Sequence, residues 1–222
     1  AYLANFLVDA ANYAEFAPYV HDVYLRHLFA ETKIVNGLGD AEQWASQLPP
    51  ELFQQLKQRV DIDFAPTNPT SFTADQPVRL DAHVKNVSTL IVKVFEINAP
   101  SYYRQNRREI DTDVNLDGLV ANEELTFNYE DPALRRVARR FEFPKLSKPG
   151  IYVIDFIGNG RSSRALIRKG RLRQIVKTTP AGQRFTVFDE ANEQVADATL
   201  WLAGHEYKAD KDGRITVPFS TA

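Results

Sequence analysis

The residues best suited to chemistry lie in the stretch DTDVNLDGLVANEE, residues 111–124. With Asp113 as position 1, Asn115 falls at 3, Asp117 at 5, Gly118 at 6 and Glu124 at 12. The carbonyl of Leu119 falls at 7 and apolar Val120 at 8. This is the calcium-loop pattern D-x-[DN]-x-[DN]-G-x5-E in every specified place. Calcium is a hard cation that takes six to eight oxygens at about 2.3–2.6 Å. Alternate side chains converge as the chain curls, glycine permits the sharp turn, and the closing glutamate supplies two oxygens. The expected ligands of Ca2+ are therefore Asp113, Asn115, Asp117, Leu119 through its carbonyl, and Glu124. Position 9 is Ala121, so its ligand would be a water. A solvated acidic turn would use the same residues. The flanks do not spell a helix-loop-helix hand: SYYRQNRREI reads as a short entering helix, and EELTFNYE alternates like a strand. Without a paired exit helix to open, the expected task of the ion is structural, fixing a long connection between strands.

Other candidates are weaker. His21 and His27 are not at the i, i+4 spacing that stacks zinc ligands on one helical face. GHE at 204–206 has no second histidine after it. GNGRSSR at 158–164 lacks the lysine and the following helix of a phosphate loop and reads as a polar hairpin. The clusters LRRVARR and RKGRLR read as a solvated face or as salt bridges between units, since acidic neighbours balance them and no aromatic RNA-binding motif accompanies them. No catalytic residues are assigned.

The elements that must position these residues fall into three regions. Residues 1–59 read as helical: Leu3, Phe6, Leu7, Ala10, Ala14 and Ala17 recur at three- and four-residue steps. Pro18 is expected to open a second helix, NGLGD at 36–40 to break the pattern, and PPELFQQLKQRV to begin a further helix on its prolines. Residues 60–170 change to period two in VDIDF, PVRLDAHVKN and LTFNYE; TLIVKVFEIN, richer in β-branched residues, reads as a central strand, and RRVARRFEFP, GIYVIDFIGN and SRALIRKG follow with Pro-Gly and Gly-Asn-Gly between them, giving about seven strands, the count of a small β-sandwich. Residues 171–222 carry four more: RLRQIVKTT, QRFTVFDE, ATLWLAGHEYKA and RITVPFS, with ADKDGR as a turn. Four strands make an unstable sandwich alone, so this unit either borrows an edge from its neighbour or continues beyond residue 222. The expected fold class is mainly β with an α-helical N-terminal region. It is a seven-stranded Ig/macroglobulin-like β-sandwich, with the loop at 111–124 inserted, followed by a second small β-sandwich module.

Composition bounds the function classes. The chain has 222 residues, 44% hydrophobic and 25% charged, with a net charge of −2. Nothing in that balance draws it to nucleic acid, and no apolar run is long enough for membrane insertion. With no cysteine, disulfides, thiolate metal sites and thioester chemistry are excluded within these residues. The opening lacks the basic start of a signal peptide. The absence of methionine and the ending TVPFSTA, straight after a strand-like run, read as a segment of something longer.

The stretch TADQPVRLDAHVKNVSTLIVKVFEIN is similar to the early macroglobulin-type domain of large bacterial alpha-2-macroglobulin-like proteins. LSKPGIYVIDF resembles the late strand of such domains, where Pro-Gly turns the chain into a hydrophobic strand. FTVFDEANEQVADATLWLAGHEYKADKDGRITVPF is like the sandwich modules that repeat in those proteins and in carboxypeptidase-regulatory-like domains. The resemblance spans residues 60–222, leaves 1–59 unmatched, and lacks the Cys-Gly-Glu-Gln thioester, so protease trapping is not carried over. It implies a non-enzymatic structural or interaction segment of a larger protein, extracellular, cell-surface or periplasmic, calcium-stabilised, whose partners are other domains or subunits. The alternatives are an adhesin or carbohydrate-binding sandwich, with Tyr102, Tyr103 and Trp201 as contacts, and an accessory domain of a larger enzyme.

Overall fold

A computed structural model describes residues 2–219. The chain is mainly β, with several sheets behind a few N-terminal helices. The helices are α1 (Tyr2–Leu7), α2 (Asp22–Asn36), α3 (Ala41–Ser46) and α4 (Pro50–Gln58), with a 3-10 turn at Ala14–Phe16. Pro18 does not open α2: it sits in the turn after that short helix, and α2 begins four residues later behind His21. Pro50 does start α4, where its missing N–H costs nothing. Gly37 closes α2 in the left-handed conformation at φ 62, which favours glycine, and the Arg135 guanidinium packs where a Cβ would stand. Ala30, Ile34 and Val35 of α2 pack with Leu48 and Leu56, and Leu134 from the β region packs against them.

The β region begins with β1 (Asp61–Phe64), β2 (Ser71–Phe72), β3 (Val78–Lys85) and β4 (Thr89–Ile97). Helix α5 (Ala99–Asn106) and a long arm follow, then β5 (Glu123–Asn128), β6 (Arg136–Phe143), β7 (Gly150–Gly158) and β8 (Arg161–Lys169). Eight strands stand where seven were expected; two-residue β2, the addition, is too short to carry a period. One sheet runs β1-β3-β6 and the other β2-β8-β7-β4-β5. Leu80, Phe141 and Phe143 from the first share a buried cluster with Leu90, Ile154, Phe156 and Ile167 from the second. Phe156 meets Phe141 edge-on at 4.7 Å and Phe64 at 4.8 Å. Each such burial is worth about 1.5–3 kcal/mol. Asn159 (φ 43) and Gly160 (φ 73) form the two-residue turn of the β7–β8 hairpin, as GNGRSSR implied.

Two arginines of β6 pair across strands, Arg140 with Asp81 at 2.8 Å and Arg136 with Asp63 at 3.1 Å, and Arg139 pairs with Asp131 in the loop before β6. Three lysines are buried instead. Lys33 donates to the carbonyls of Val8 and Ala10 beyond α1, Lys169 to that of Gln76, and Lys85, 1% exposed, to those of Leu56 and Arg59 at the end of α4.

Beyond residue 170 lie β9 (Arg173–Thr179), β10 (Gly182–Phe188), β11 (Thr199–Leu202), β12 (His205–Lys208) and β13 (Arg214–Val217). Order β13-β10-β9 forms one sheet and β11-β12 another. The expected single strand ATLWLAGHEYKA is a hairpin, because Ala203 (φ 49) and Gly204 (φ 86) turn it back on itself. The ADKDGR turn forms around Asp210, whose carboxylate accepts from the N–H of Asp212 and Arg214, but it joins strands of different sheets. Among the described residues this unit borrows no strand edge from the earlier β region. The two meet through polar contacts, Arg104 with Glu206 at 2.6 Å and the Ala74 N–H with Glu190 at 2.7 Å. Residue 1 of the apolar opening, residue 220 at the end of the expected strand RITVPFS, and residues 221–222 after it lie outside the described residues. No described helix is long and apolar enough to cross a membrane.

Candidate metal centre on an arm over the sheet

Residues 107–122 form an arm that leaves α5 and crosses the outer face of the five-stranded sheet. Register fixes that face: Phe95 of β4 lies opposite Val153 of β7, which lies opposite Leu166 of β8. Ile110, Val114 and Leu116 of the arm are buried on those three side chains. The intervening Asp111, Asp113, Asn115 and Asp117 are exposed. Two turns, closed by the Val114 N–H on the Asp111 carbonyl and the Leu119 N–H on the Leu116 carbonyl, shape the arm so that its apolar side chains face the sheet and its acidic ones face water.

Polar bonds fasten the arm. Asp155, 6% exposed, lies beside Arg164 at 3.3 Å, and Arg164 donates to the carbonyls of Val114 at 2.9 Å and Thr112 at 3.4 Å. Nothing local in the sequence marks Arg164 for this role; there it is one residue of the polar hairpin GNGRSSR. Residues 109–112 also wall a cavity of ≈ 560 Å³ against β8 and the loop after β1.

The expected ligands are placed as follows. Asp113 pairs with Arg108 at 3.0 Å, and its carboxylate raises the Arg108 guanidinium above its ordinary value by hydrogen bonding. The Asn115 side-chain oxygen accepts from the N–H of Asp117 at 2.8 Å, a local turn that curls the chain. Gly118 holds φ 80 with open space where a Cβ would stand. Leu119 is half exposed, and its N–H donates to the Leu116 carbonyl. Glu124 lies on β5 opposite Lys93, 3.5 Å away, on the face that the arm covers. Its neighbour Glu123 points inward to Lys145 at 3.1 Å, and one of its buried oxygens has no partner.

By donor type this set fits calcium: all five groups offer oxygen, Gly118 supplies the left-handed turn, and Glu124 shares the arm's side of the sheet. The arrangement fits less well. The two terminal carboxylates hold cationic side chains, and the described residues contain no group of three or more His, Cys, Asp or Glu placed to hold an ion. Exposed ion pairs are weak in water, so an ion would displace Arg108 and Lys93 at small cost.

Of the aromatics singled out in the sequence, Tyr102 packs against the arm's apolar cluster and Trp201 lies under Arg104 at 4.9 Å. Tyr103 stays 43% exposed, so the three do not make a continuous exposed row.

The chain matches known proteins in two regions. Residues 1–60 match the family described as the actin-binding protein F N-terminal domain, and residues 90–170 the one described as the AbpF first immunoglobulin-like domain. A relative from Dictyostelium discoideum, actin-binding protein F, is 41% identical over 207 residues, 92% of this chain. The chain spans 9% of that relative's length. Among solved structures, alpha-2-macroglobulin from Escherichia coli spanning domains MG0-NIE-MG1 is 13% identical, covering 72% of this chain and 57% of that one, with a TM-score of 0.44. A shorter NIE-MG1 structure from the same organism is 16% identical, covering 73% and 88%, with a TM-score of 0.40. Likeness this slight says nothing about activity.

The expected extracellular, cell-surface or periplasmic placement is overturned. The 41% identity is to a Dictyostelium protein named for binding actin, a filament of the cell interior, and this points away from the outside of the cell. Strand motifs shared by many sandwiches report packing and carry no address. The chain thus holds an immunoglobulin-like region behind a helical one.

Proposed function

We propose that this chain is a non-enzymatic interaction segment of a larger actin-associated protein. It consists of a helical lead-in at 1–59, an Ig-like β-sandwich at 60–170 stabilised by calcium on the arm at 111–124, and a second β module at 171–222. The observation that carries this is the 41% identity over 207 residues, which runs through both matched regions. Because the chain spans 9% of that relative, actin contact by this segment is part of the proposal. The shared core of the two sheets supports the sandwich. Calcium would be held by Asp113, Asn115, Asp117, the Leu119 carbonyl and Glu124, and would tie the arm to β5. With the extracellular placement gone, a millimolar-affinity loop would stand empty at the far lower resting calcium inside a cell, so the site needs sensor-range affinity to matter.

Co-sedimentation of the 222-residue chain with filamentous actin, in calcium and in chelator, tests the reading. The expected result is pelleting with actin above the protein-alone control. No pelleting in either condition would remove actin contact from this segment and leave it a spacer between binding regions elsewhere.

A further inference from the structure

Strand β9 leaves one whole backbone edge without a strand partner among the described residues. It is the outer strand of β13-β10-β9, seven residues long, and every residue but Thr179 is exposed. Such an edge offers a row of N–H and C=O groups with water as their only partner.

Its two faces differ in chemistry. Lys177 lies opposite Arg184, and Ile175 opposite Thr186, which lies opposite Arg214 of β13. With Arg173, this gives one face four cations, of which only Arg214 has an ion-pair partner among the described residues. On the other face Val176 lies opposite Phe185, which lies opposite buried Ile215. Val176 is the outer end of that apolar row and is 44% exposed, and Leu172 continues the same side of the strand at 69%. A hollow of ≈ 980 Å³ opens beside Leu172, with Pro149 and Ile151 in its wall and Asp75, Asp189 and Glu190 around its other side. From Arg161 to Arg184 the chain carries eight basic residues and no acidic one.

We propose that β9 is a docking edge that takes up an extended segment of a protein partner as a fourth strand, and that this segment alternates acidic with apolar side chains. Backbone pairing supplies the attachment and alternate side chains the selectivity, as in other additions to a sheet edge. Carboxylates on one side of the incoming strand meet Arg173 and Lys177. Apolar side chains on its other side complete the row through Val176 and reach the hollow at Leu172, whose acidic rim turns away further carboxylates. A second copy of this chain is the poorer occupant: it brings the same basic face and no carboxylate to meet Arg173 and Lys177, and antiparallel pairing centred on Ile175 sets Arg173 of each copy against Lys177 of the other. A nucleic acid is wrong too, since it cannot continue the strand ladder or fill the apolar row.

The proposal deepens the interaction-segment reading and rests on it only in taking the ligand to be a protein. Its test uses the 222-residue chain and a short peptide alternating Glu with Val, followed by amide hydrogen exchange and fluorescence anisotropy. The peptide is expected to slow exchange along β9. Arg173→Glu combined with Lys177→Glu is expected to weaken binding by about tenfold or more, and added salt to weaken it further. Both substitutions are at exposed positions, and the exchange result on the unaltered chain stands without them. Four outcomes would overturn the proposal: no slowing on β9 at millimolar peptide, equal binding by the reversed variant, equal binding of polyglutamate or single-stranded DNA, or protection of β9 by self-association alone. Failure here with intact actin pelleting removes the edge and leaves the interaction reading standing.

Discussion

His83 sits half-buried on β3, opposite Asp63 of β1 and Ala138 of β6. Burial lowers its pKa below the ordinary 6.5; the Arg136 guanidinium pushes the same way, against the weaker pull of Asp63 and Asp81. The folded protein therefore resists a proton that the unfolded chain accepts. In the window just below pH 6.5 the unfolded state binds more protons, so stability falls as pH drops through it and is unaffected by this group above it. Urea midpoints at about pH 7 and pH 5 should show a loss on acidification that is smaller in His83→Gln. An equal loss in the variant would clear His83 of the effect. This residue could not be singled out from the sequence, where it is one polar position in an alternating strand. Arg136 and Arg140 of β6 were legible as outward residues because they fall on the face opposite Phe141 and Phe143, and Asp63 and Asp81 wait across the strands; Arg139 falls on the core side, over the Tyr129 ring. Buried Lys85 was not, since nothing local shows that the end of a helix will arrive above it.

At the scale of elements, strands announced themselves by period two, as in β3, or by an apolar run set between turn residues, as in β7, which is buried on both faces and ends in the Asn159–Gly160 turn. The hairpin at Ala203–Gly204 was missed because alanine rarely takes a positive φ and the alternation reads straight through it. The arm shows a subtler failure. Its acidic half reads as ligands, and its apolar half, Ile110, Val114 and Leu116, went unread, although that half fixes the arm to the sheet. The apolar contacts hold without an ion; the stretch from Gly118 to Glu124 has few. Calcium should therefore slow amide exchange at 115–124 and leave β4 and β7 unchanged, and calorimetric titration should show binding that Asp113→Ala abolishes. No heat on titrating the unaltered chain would return the stretch to a solvated turn whose carboxylates belong to Arg108 and Lys93.

For the whole molecule, the junction between helices and sheets rests on Lys85. Its ammonium binds the carbonyls of Leu56 and Arg59, while Asn86 reaches those of Lys57 and Gln58. Burial lowers the pKa of that ammonium, yet the free carbonyls at a helix end favour a cation. Lys85→Met keeps the stem and strands the carbonyls, a loss of about 2–3 kcal/mol. With Trp201→Phe leaving Trp44 of α3 as the reporter, the helices and sheets should unfold in urea together in the parent and separately once Lys85 is replaced. Coincident transitions in both would show that the junction is held elsewhere. What the sequence could not disclose at this scale was setting, because core patterns are set by packing and are blind to compartment. With the arm lying across its outer flank, the five-stranded sheet has no flat face to lend at Phe95, Val153 and Leu166, so a neighbouring unit cannot stack on it there. Among the described residues, the broad flank of the sandwich left open is that of the three-stranded sheet β1-β3-β6, which carries the ion pairs of Arg136 and Arg140.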